Sequence, residues 1–134
     1  MDFTTAQEAE LAFYRAFADS NFDLMRAAWD NEDIVCVHPG GPLMQTSAEI
    51  MMSWQQILAA LGPVDLKVEV VYRLARPDHA VHVVREHFNR PDHPAQPPVI
   101  ATNVYRRNRA GWTICAHHAS SEPRAAEPAD GALH

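Results

Sequence analysis

Asp65-Leu66-Lys67-Val68-Glu69-Val70-Val71-Tyr72-Arg73-Leu74 marks the point at which the chain changes its hydrophobic period. Leu66, Val68, Val70, Tyr72 and Leu74 alternate with Asp65, Lys67, Glu69 and Arg73, the period-2 pattern of a strand with one buried face. Immediately upstream the period is helical. Ile50, Trp54, Ile57, Leu58 and Leu61 fall on one face behind the capping box Thr46-x-x-Glu49, and Gly62-Pro63 stops the run. A capped amphipathic helix therefore leads directly into a long half-buried strand.

The same two periods divide the rest of the chain. A second capping box, Thr5-x-x-Glu8, opens a helix in which Ala6, Ala9, Phe13, Ala16 and Phe17 share a face, with Glu8, Glu10 and Arg15 off it. That helix is predicted to run to about Ala18, and Asp19-Ser20-Asn21 breaks it before a short helix from Phe22 to Trp29. Ile34 to Val37 reads as a strand, and His38-Pro39-Gly40-Gly41-Pro42 forces a loop. Beyond Leu74, strands are predicted over Ala80 to Phe88, Val99 to Arg107 and Trp112 to Ser120. They are joined by the proline-rich segment Arg90 to Pro98 and the turn Asn108-Arg109-Ala110-Gly111. Three helices followed by hairpin-linked strands predict an α+β fold, the helices covering one face of a curved, mainly antiparallel sheet. One domain spans residues 1–121; residues 122–134, rich in Ala, Pro, Glu and Asp, are expected to form a disordered tail.

Bulk properties narrow the function. The 134 residues are 47% hydrophobic and 21% charged, ordinary for one globular domain. A formal charge of −6 argues against nucleic acid or an anionic membrane surface as partner. No apolar run approaches the roughly 20 residues that span a bilayer, and Met1-Asp2-Phe3-Thr4-Thr5 lacks a secretory pattern, so a cytoplasmic location is expected. Cys36 and Cys115 sit in apolar strand segments and read as buried free thiols.

Strand register selects candidate site residues. With Arg107 opposite Trp112, strict alternation puts Ala101, Asn103, Tyr105, Trp112, Ile114, Ala116 and His118 on one face, and Thr102, Val104, Cys115 and His117 on the other. His117 and His118 then point oppositely and cannot share a metal. His79 and His82 also diverge on a strand, so no metal is expected. In the preceding hairpin a two-residue loop, Pro77-Asp78, sets Glu86 opposite Glu69, an unfavourable pair. A three-residue loop, Pro77 to His79, sets it opposite Val70 on the apolar face, and is the favoured reading. There desolvation raises a carboxyl pKa toward values suited to acid/base chemistry. The competing reading pairs Glu86 with Arg85 or Arg106 on a solvated face. His38 and His118 either present a ring nitrogen to a cavity or make structural hydrogen bonds. His79, His82, His87 and His93 are assigned to strand surface and loops. Phosphate-loop, dinucleotide-binding and nucleophile-elbow patterns are all missing from the sequence, so no cofactor is expected.

Val35-Cys36-Val37-His38-Pro39-Gly40-Gly41, Ile50-x-x-Ser53-Trp54, Ala101-Thr102-Asn103-Val104-Tyr105 and Gly111-Trp112-x-x-x-x-His117-His118-Ala119-Ser120 together carry a family resemblance. In this order they resemble the SnoaL-like branch of the nuclear transport factor 2-like superfamily, over about residues 5 to 121. Gln45-Thr46 departs from the pattern, where such chains often carry glycine. The resemblance implies a cone-shaped α+β barrel with a pocket between sheet and helices, and commonly a homodimer through the outer sheet face. Its members include ketosteroid isomerases, polyketide cyclases and dehydratases, alongside non-catalytic binding and assembly domains, so the fold alone does not select a function. The acidic pair of the isomerases has no recognisable motif here. Glu86 and His118 are the candidate bases, Asn103 and His38 the candidate hydrogen-bond donors to an oxyanion. Tyr14, Trp29, Trp54 and Tyr105 are the aromatic candidates for binding a small apolar, carbonyl-bearing molecule. The alternative is a ligand-binding or dimeric assembly module without turnover.

Overall fold

A computed structural model describes residues 2–124. Three helices, α1 (Ala6–Asp19), α2 (Phe22–Ala28) and α3 (Ser47–Leu61), precede or flank five strands. These are β1 (Val35–Val37), β2 (Asp65–Ala75), β3 (His79–Asn89), β4 (Val99–Asn108) and β5 (Gly111–Ser121). The sheet order is β1-β5-β4-β3-β2, with β1 parallel to β5 and every other pairing antiparallel. The predicted α+β architecture is the observed one.

Both capping boxes close as the sequence implies. Thr5 and Thr46 are extended, and their hydroxyls accept the backbone N–H of Glu8 at 3.1 Å and of Glu49 at 3.2 Å. Ser20, in the left-handed conformation at φ 55°, ends α1. The helices bury Phe13, Phe17, Met25, Ile50, Trp54 and Leu58 against the inner face of the sheet. Phe13 is the hub, edge-on to Tyr14 at 4.8 Å and to Trp54 at 5.3 Å. Each such ring contributes a few kcal/mol through burial, so this aromatic cluster dominates the core.

Two β-bulges set which side chains face this core. The β2–β3 hairpin has the two-residue loop Pro77-Asp78, since Ala75 pairs with Ala80 and the N–H of Arg76 donates to the carbonyl of His79. The three-residue loop expected from sequence is therefore incorrect. Between Val70 and Tyr72 the register slips by one residue, leaving Val71 unpaired and setting Glu86 opposite Val68. Glu86 reaches the inner face as expected, but through the bulge and not through the turn.

The second bulge overturns an expectation. β4 and β5 start in the expected register, Arg107 opposite Trp112 and Tyr105 opposite Ile114. Val104 then pairs with Ala116, so Cys115 is the extra residue and the phase of β5 inverts beyond it. His117 shares the inner face with Asn103 and is 2% exposed, while His118 pairs with Thr102 on the outer face, where both are exposed. His118 is thus removed from the interior and His117 replaces it. Ala116 likewise belongs to the outer face, and His117 does not.

Buried charge brings two further corrections. Glu10 and His82, assigned to surface positions, are 8% and 1% exposed. At the C-terminal end the strand geometry reaches Ser121, and Glu122 and Arg124 of the expected tail hold the β3–β4 loop. The N–H of Glu122 donates to the Pro98 carbonyl, its carboxylate accepts from Arg85, and Arg124 donates to the Ala95 carbonyl. The remainder of that tail, residues 125–134, lies outside the described residues.

Candidate active site

Four polar side chains from α1, β3, β4 and β5 meet inside the apolar core. Tyr14 Oη donates to Glu86 Oε2 at 2.6 Å and accepts from Asn103 Nδ2 at 2.8 Å. Asn103 Oδ1 accepts from His117 Nδ1 at 2.6 Å. The direction of each bond follows from the inventory of donors. With the Asn103 amide nitrogen on Tyr14, its oxygen can only accept, so His117 carries its proton on Nδ1. His117 Nε2 and Glu86 Oε1 have no protein partner among the described residues.

The electrostatics agree with that polarity. Burial pushes the Glu86 carboxyl up to about 7, and the hydrogen bond from Tyr14 pulls the other way. Burial pushes His117 down to about 3, helped by the nearby His38 and His118, so its ring is neutral. Tyr14 is raised well above its ordinary value by burial and by the neighbouring Glu86 charge. Glu86 is thus the group of the four whose protonation changes near neutral pH.

His38 stands at the edge of this cluster. It is half-buried, lies edge-on to Trp54 at 4.8 Å, and its Nε2 is 2.9 Å from Ser53 Oγ. Ser53 donates its own proton to the Ile50 carbonyl at 2.7 Å, so His38 Nε2–H is the donor to Ser53. Burial lowers the His38 pKa. Cys36 Sγ is 3.7 Å from the same nitrogen, but burial pushes that thiol up to about 12, which excludes a resting thiolate nucleophile.

Three buried donors, the indole N–H of Trp29, the indole N–H of Trp54 and the Tyr105 hydroxyl, have no protein partner among the described residues. Such groups normally find an acceptor, so they mark the interior as unusually polar for its packing. The structure therefore brings together Glu86, Tyr14, Asn103, Trp54 and, at the edge, His38, while His118 stands outside. Glu10 forms a separate group: it accepts from Arg73 Nη2 at 2.9 Å and His82 Nδ1 at 2.8 Å, and the His82 ring lies 4.9 Å from Tyr105. Burial raises the Glu10 carboxyl, but these bonds outweigh it and leave it below the usual range. Among the described residues no group of three or more His, Cys, Asp or Glu side chains is placed to hold a metal ion. Among them, also, no helix is long and apolar enough to cross a membrane.

A helix-covered sheet with a polar chain in its interior can be compared with known proteins. The model of the SnoaL-like domain matches residues 7–124. The chain is a member of the SnoaL-like domain family. Among solved structures, this SnoaL-like chain is similar to a Thiobacillus denitrificans protein provisionally named a calcium/calmodulin-dependent protein kinase type II association domain. The two are 34% identical, with 92% of this chain and 99% of that chain covered, at a TM-score of 0.86. It is also similar to a provisionally named dehydratase of the NTF2-like family from Streptomyces avermitilis, at 29% identity, covering 86% and 91%, with a TM-score of 0.76. A ketosteroid isomerase-like protein from Erwinia carotovora shares the fold at 17% identity, covering 87% and 94%, with a TM-score of 0.70. Among curated proteins no significant match to this SnoaL-like chain is found.

His117 and the Glu10–His82 pair are what sequence reasoning missed. No local motif marks His117, since Cys115 fits either face, whereas the inward facing of His82 follows from its shared parity with Glu86 along β3, where Ala80, His82, Val84 and Glu86 are all buried.

Proposed function

We propose that this SnoaL-like domain is an acid/base protein for a small, apolar, carbonyl-bearing molecule, with Glu86 as the proton-transfer group. One observation carries the reading: a carboxyl only 2% exposed is held through one oxygen by Tyr14, and burial pushes its pKa up to about 7. A base must have a pKa near the working pH to be both ionised and able to keep a proton, and burial provides that here. Tyr14 aims the carboxylate, and Asn103 and His117 fix Tyr14. Asn103 has both amide groups engaged, so it positions the chain and does not meet the substrate carbonyl. The unpartnered N–H and O–H groups of Trp29, Trp54 and Tyr105 are suited to a ligand rich in acceptors.

Glu86 is nearly enclosed in the conformation described. Two surface recesses, of about 650 and 830 Å³, border the β3–β4 loop and include none of Glu86, Tyr14, Asn103 or His117. Solvent deuterium incorporation at the α-carbon of a panel of apolar ketones tests the reading. The wild-type chain is expected to exchange at least one of them, with a loss of about 10²-fold or more in Glu86→Gln. Exchange at equal rates in both proteins, or with no ketone, would refute it.

A second reading, a dimeric assembly module, is favoured by the outer sheet face and by the name of the 34%-identical relative. Val81, Val83, Ile100, Val104 and Ala116 are partly exposed there, beside exposed Thr102 and His118 and Tyr72, which is 52% exposed. An apolar sheet face of this kind suits a second copy of the chain across a two-fold axis. The two readings are compatible, since the Glu86 chain and this face lie on opposite sides of the sheet.

A further inference from the structure

Two polar contacts tie α1 to the sheet, one helical turn apart. Glu10 accepts from His82 Nδ1 at 2.8 Å and from Arg73 Nη2 at 2.9 Å. Tyr14 donates to Glu86 at 2.6 Å and accepts from Asn103 at 2.8 Å. Glu10 and Tyr14 stand four positions apart on the buried side of the helix, and His82 and Glu86 stand four apart on the inner face of β3. Among the described residues these four bonds are the only side-chain hydrogen bonds between α1 and the sheet. The rest of that contact is apolar packing by residues such as Phe13 and Phe17.

Apolar burial is non-directional, so by itself it leaves the exact height and rotation of a helix weakly determined. A hydrogen bond weakens steeply once its distance or angle is wrong. Glu10 supplies two such directional anchors, to β2 and to β3. Against burial, the bonds from His82 and Arg73 keep its carboxyl ionised, which strengthens both. The clamp reaches solvent on one side only, the Arg73 side chain being 42% exposed and that of His82 2%. Tyr105 of β4 packs its ring 4.9 Å from that of His82. Burial raises the Tyr105 hydroxyl, and the charges of Glu10 and Glu86 raise it further, so it lies within the field of both carboxylates. On the other side Glu86 meets Tyr14 of α1, and beyond Asn103 the neutral His117 of β5.

We propose that Glu10 is a positioning residue for Glu86: its grip on His82 and Arg73 fixes the height and rotation of α1 at which the Tyr14 hydroxyl meets Glu86 Oε2. The inference rests on the reading of Glu86 as the proton-transfer group. It makes a carboxylate that does not itself bond to Glu86 a determinant of how that group is held. Coupling of this kind passes through one helix turn and two hydrogen-bonded contacts, a contiguous physical path.

Carboxyl-selective NMR titration of the full chain tests it, with Glu10→Asp and Glu10→Gln as a pair. Glu10→Asp keeps the charge and shortens the reach by a methylene, so α1 must shift or a bond must break. Glu10→Gln keeps the length and an accepting oxygen but removes the charge. With Glu10 as the positioning group, Glu10→Asp weakens the Tyr14 bond that holds the carboxyl down. Glu86 should then titrate about half a pH unit or more above the wild type, whereas Glu10→Gln should not raise it. The rise should vanish when Glu10→Asp is combined with Tyr14→Phe, which has no such bond to lose. Arg73→Lys, at the half-exposed end of the clamp, also keeps the charge and should raise Glu86 in a protein that stays folded. A fall in Glu10→Gln with no change in Glu10→Asp or Arg73→Lys would mean that Glu10 acts through charge alone, and would overturn the proposal. So would lower urea midpoints with an unmoved Glu86 titration, the mark of a clamp that only stabilises. None of these readouts needs a ketone. The clamp can therefore fail while ketone exchange stands, and exchange can fail while the clamp holds.

Discussion

Glu86 holds a proton that the unfolded chain releases. Its pKa is 4.5 for the free side chain and about 7 in the fold, with burial as the main cause. Between those values the folded state binds more protons than the unfolded state, so stability falls as pH rises. The stabilisation is fully present below pH 4.5 and lost through pH 7, amounting to about 3 kcal/mol. Glu86→Gln cannot ionise and loses this slope. Urea denaturation should show the variant gaining on the wild type from pH 5 to pH 8, with little change in their difference below pH 5. A difference that stays flat across the range would mean that Glu86 ionises freely. Tyr14→Phe removes the bond that holds the carboxyl down, so carboxyl-selective NMR should find Glu86 titrating above 7. His118→Ala, on the outer face, should leave that titration where it is.

Asn103 is a sterner test of the same chain. Asn103→Leu keeps the volume close but strips partners from the His117 Nδ1–H and the Tyr14 oxygen, both buried. Leaving two buried groups unsatisfied costs about 2–5 kcal/mol, measurable as a lower urea midpoint. Nothing local in the sequence identifies this requirement. Asn103 was legible as an inward residue from alternation alone, but its partners come from elements up to 89 positions away. The Glu10–His82 bond spans 72 positions and was illegible for the same reason: parity with Glu86 turns His82 inward, but nothing local supplies its partner.

At the scale of elements, the helices and strands follow from local rules and were readable to within a residue or two. Capping boxes, a left-handed cap and a change of period act over four or five residues, within reach of inspection. The bulges were not readable, because Val71 and Cys115 fit either face by composition, and long-range pairing decides which residue is left over. Gly111 is an element-scale constraint of another kind. It adopts φ +130°, and a Cβ there would lie 2.3 Å from the Phe3 carbonyl oxygen, which accepts the N–H of Trp112. Gly111→Ala should displace the N-terminal segment from the β4–β5 hairpin and cost about 1–3 kcal/mol. Faster amide exchange at Trp112 would report it directly.

For the whole molecule, the outer sheet face is the feature that periodicity predicted and the bulge redrew. Ala116 and His118, not His117, lie on it beyond the bulge, with His118 opposite Thr102 on β4 and beside Val37 on β1. Light scattering at micromolar concentration should give a mass about twice the 15.0 kDa of one chain. Val104→Asp, at the centre of that face, should halve the mass while leaving the Glu86 titration unchanged. A wild-type mass of one chain would remove the dimer. The architecture and the fold family were legible because they depend on the order of elements. The polar interior was only partly legible, because it depends on parity within strands.

The extra residue at Cys115 also bears on how genetic variation in this chain should be read. Replacing Cys115 by a similar small side chain leaves every later residue of β5 facing as before. Losing the single codon does the same, because it removes only the unpaired residue and leaves Ala116 opposite Val104 and His117 opposite Asn103. Drawing Cys115 into regular pairing with Val104 is what would turn the strand over, changing the face of all six residues from Ala116 to Ser121 and exchanging His117 for His118 beside Asn103. The same parity governs comparison with relatives. Aligned across Cys115 with a gap misplaced by one, the two adjacent histidines exchange identities, and a solvent-facing ring is credited with the role of a buried one.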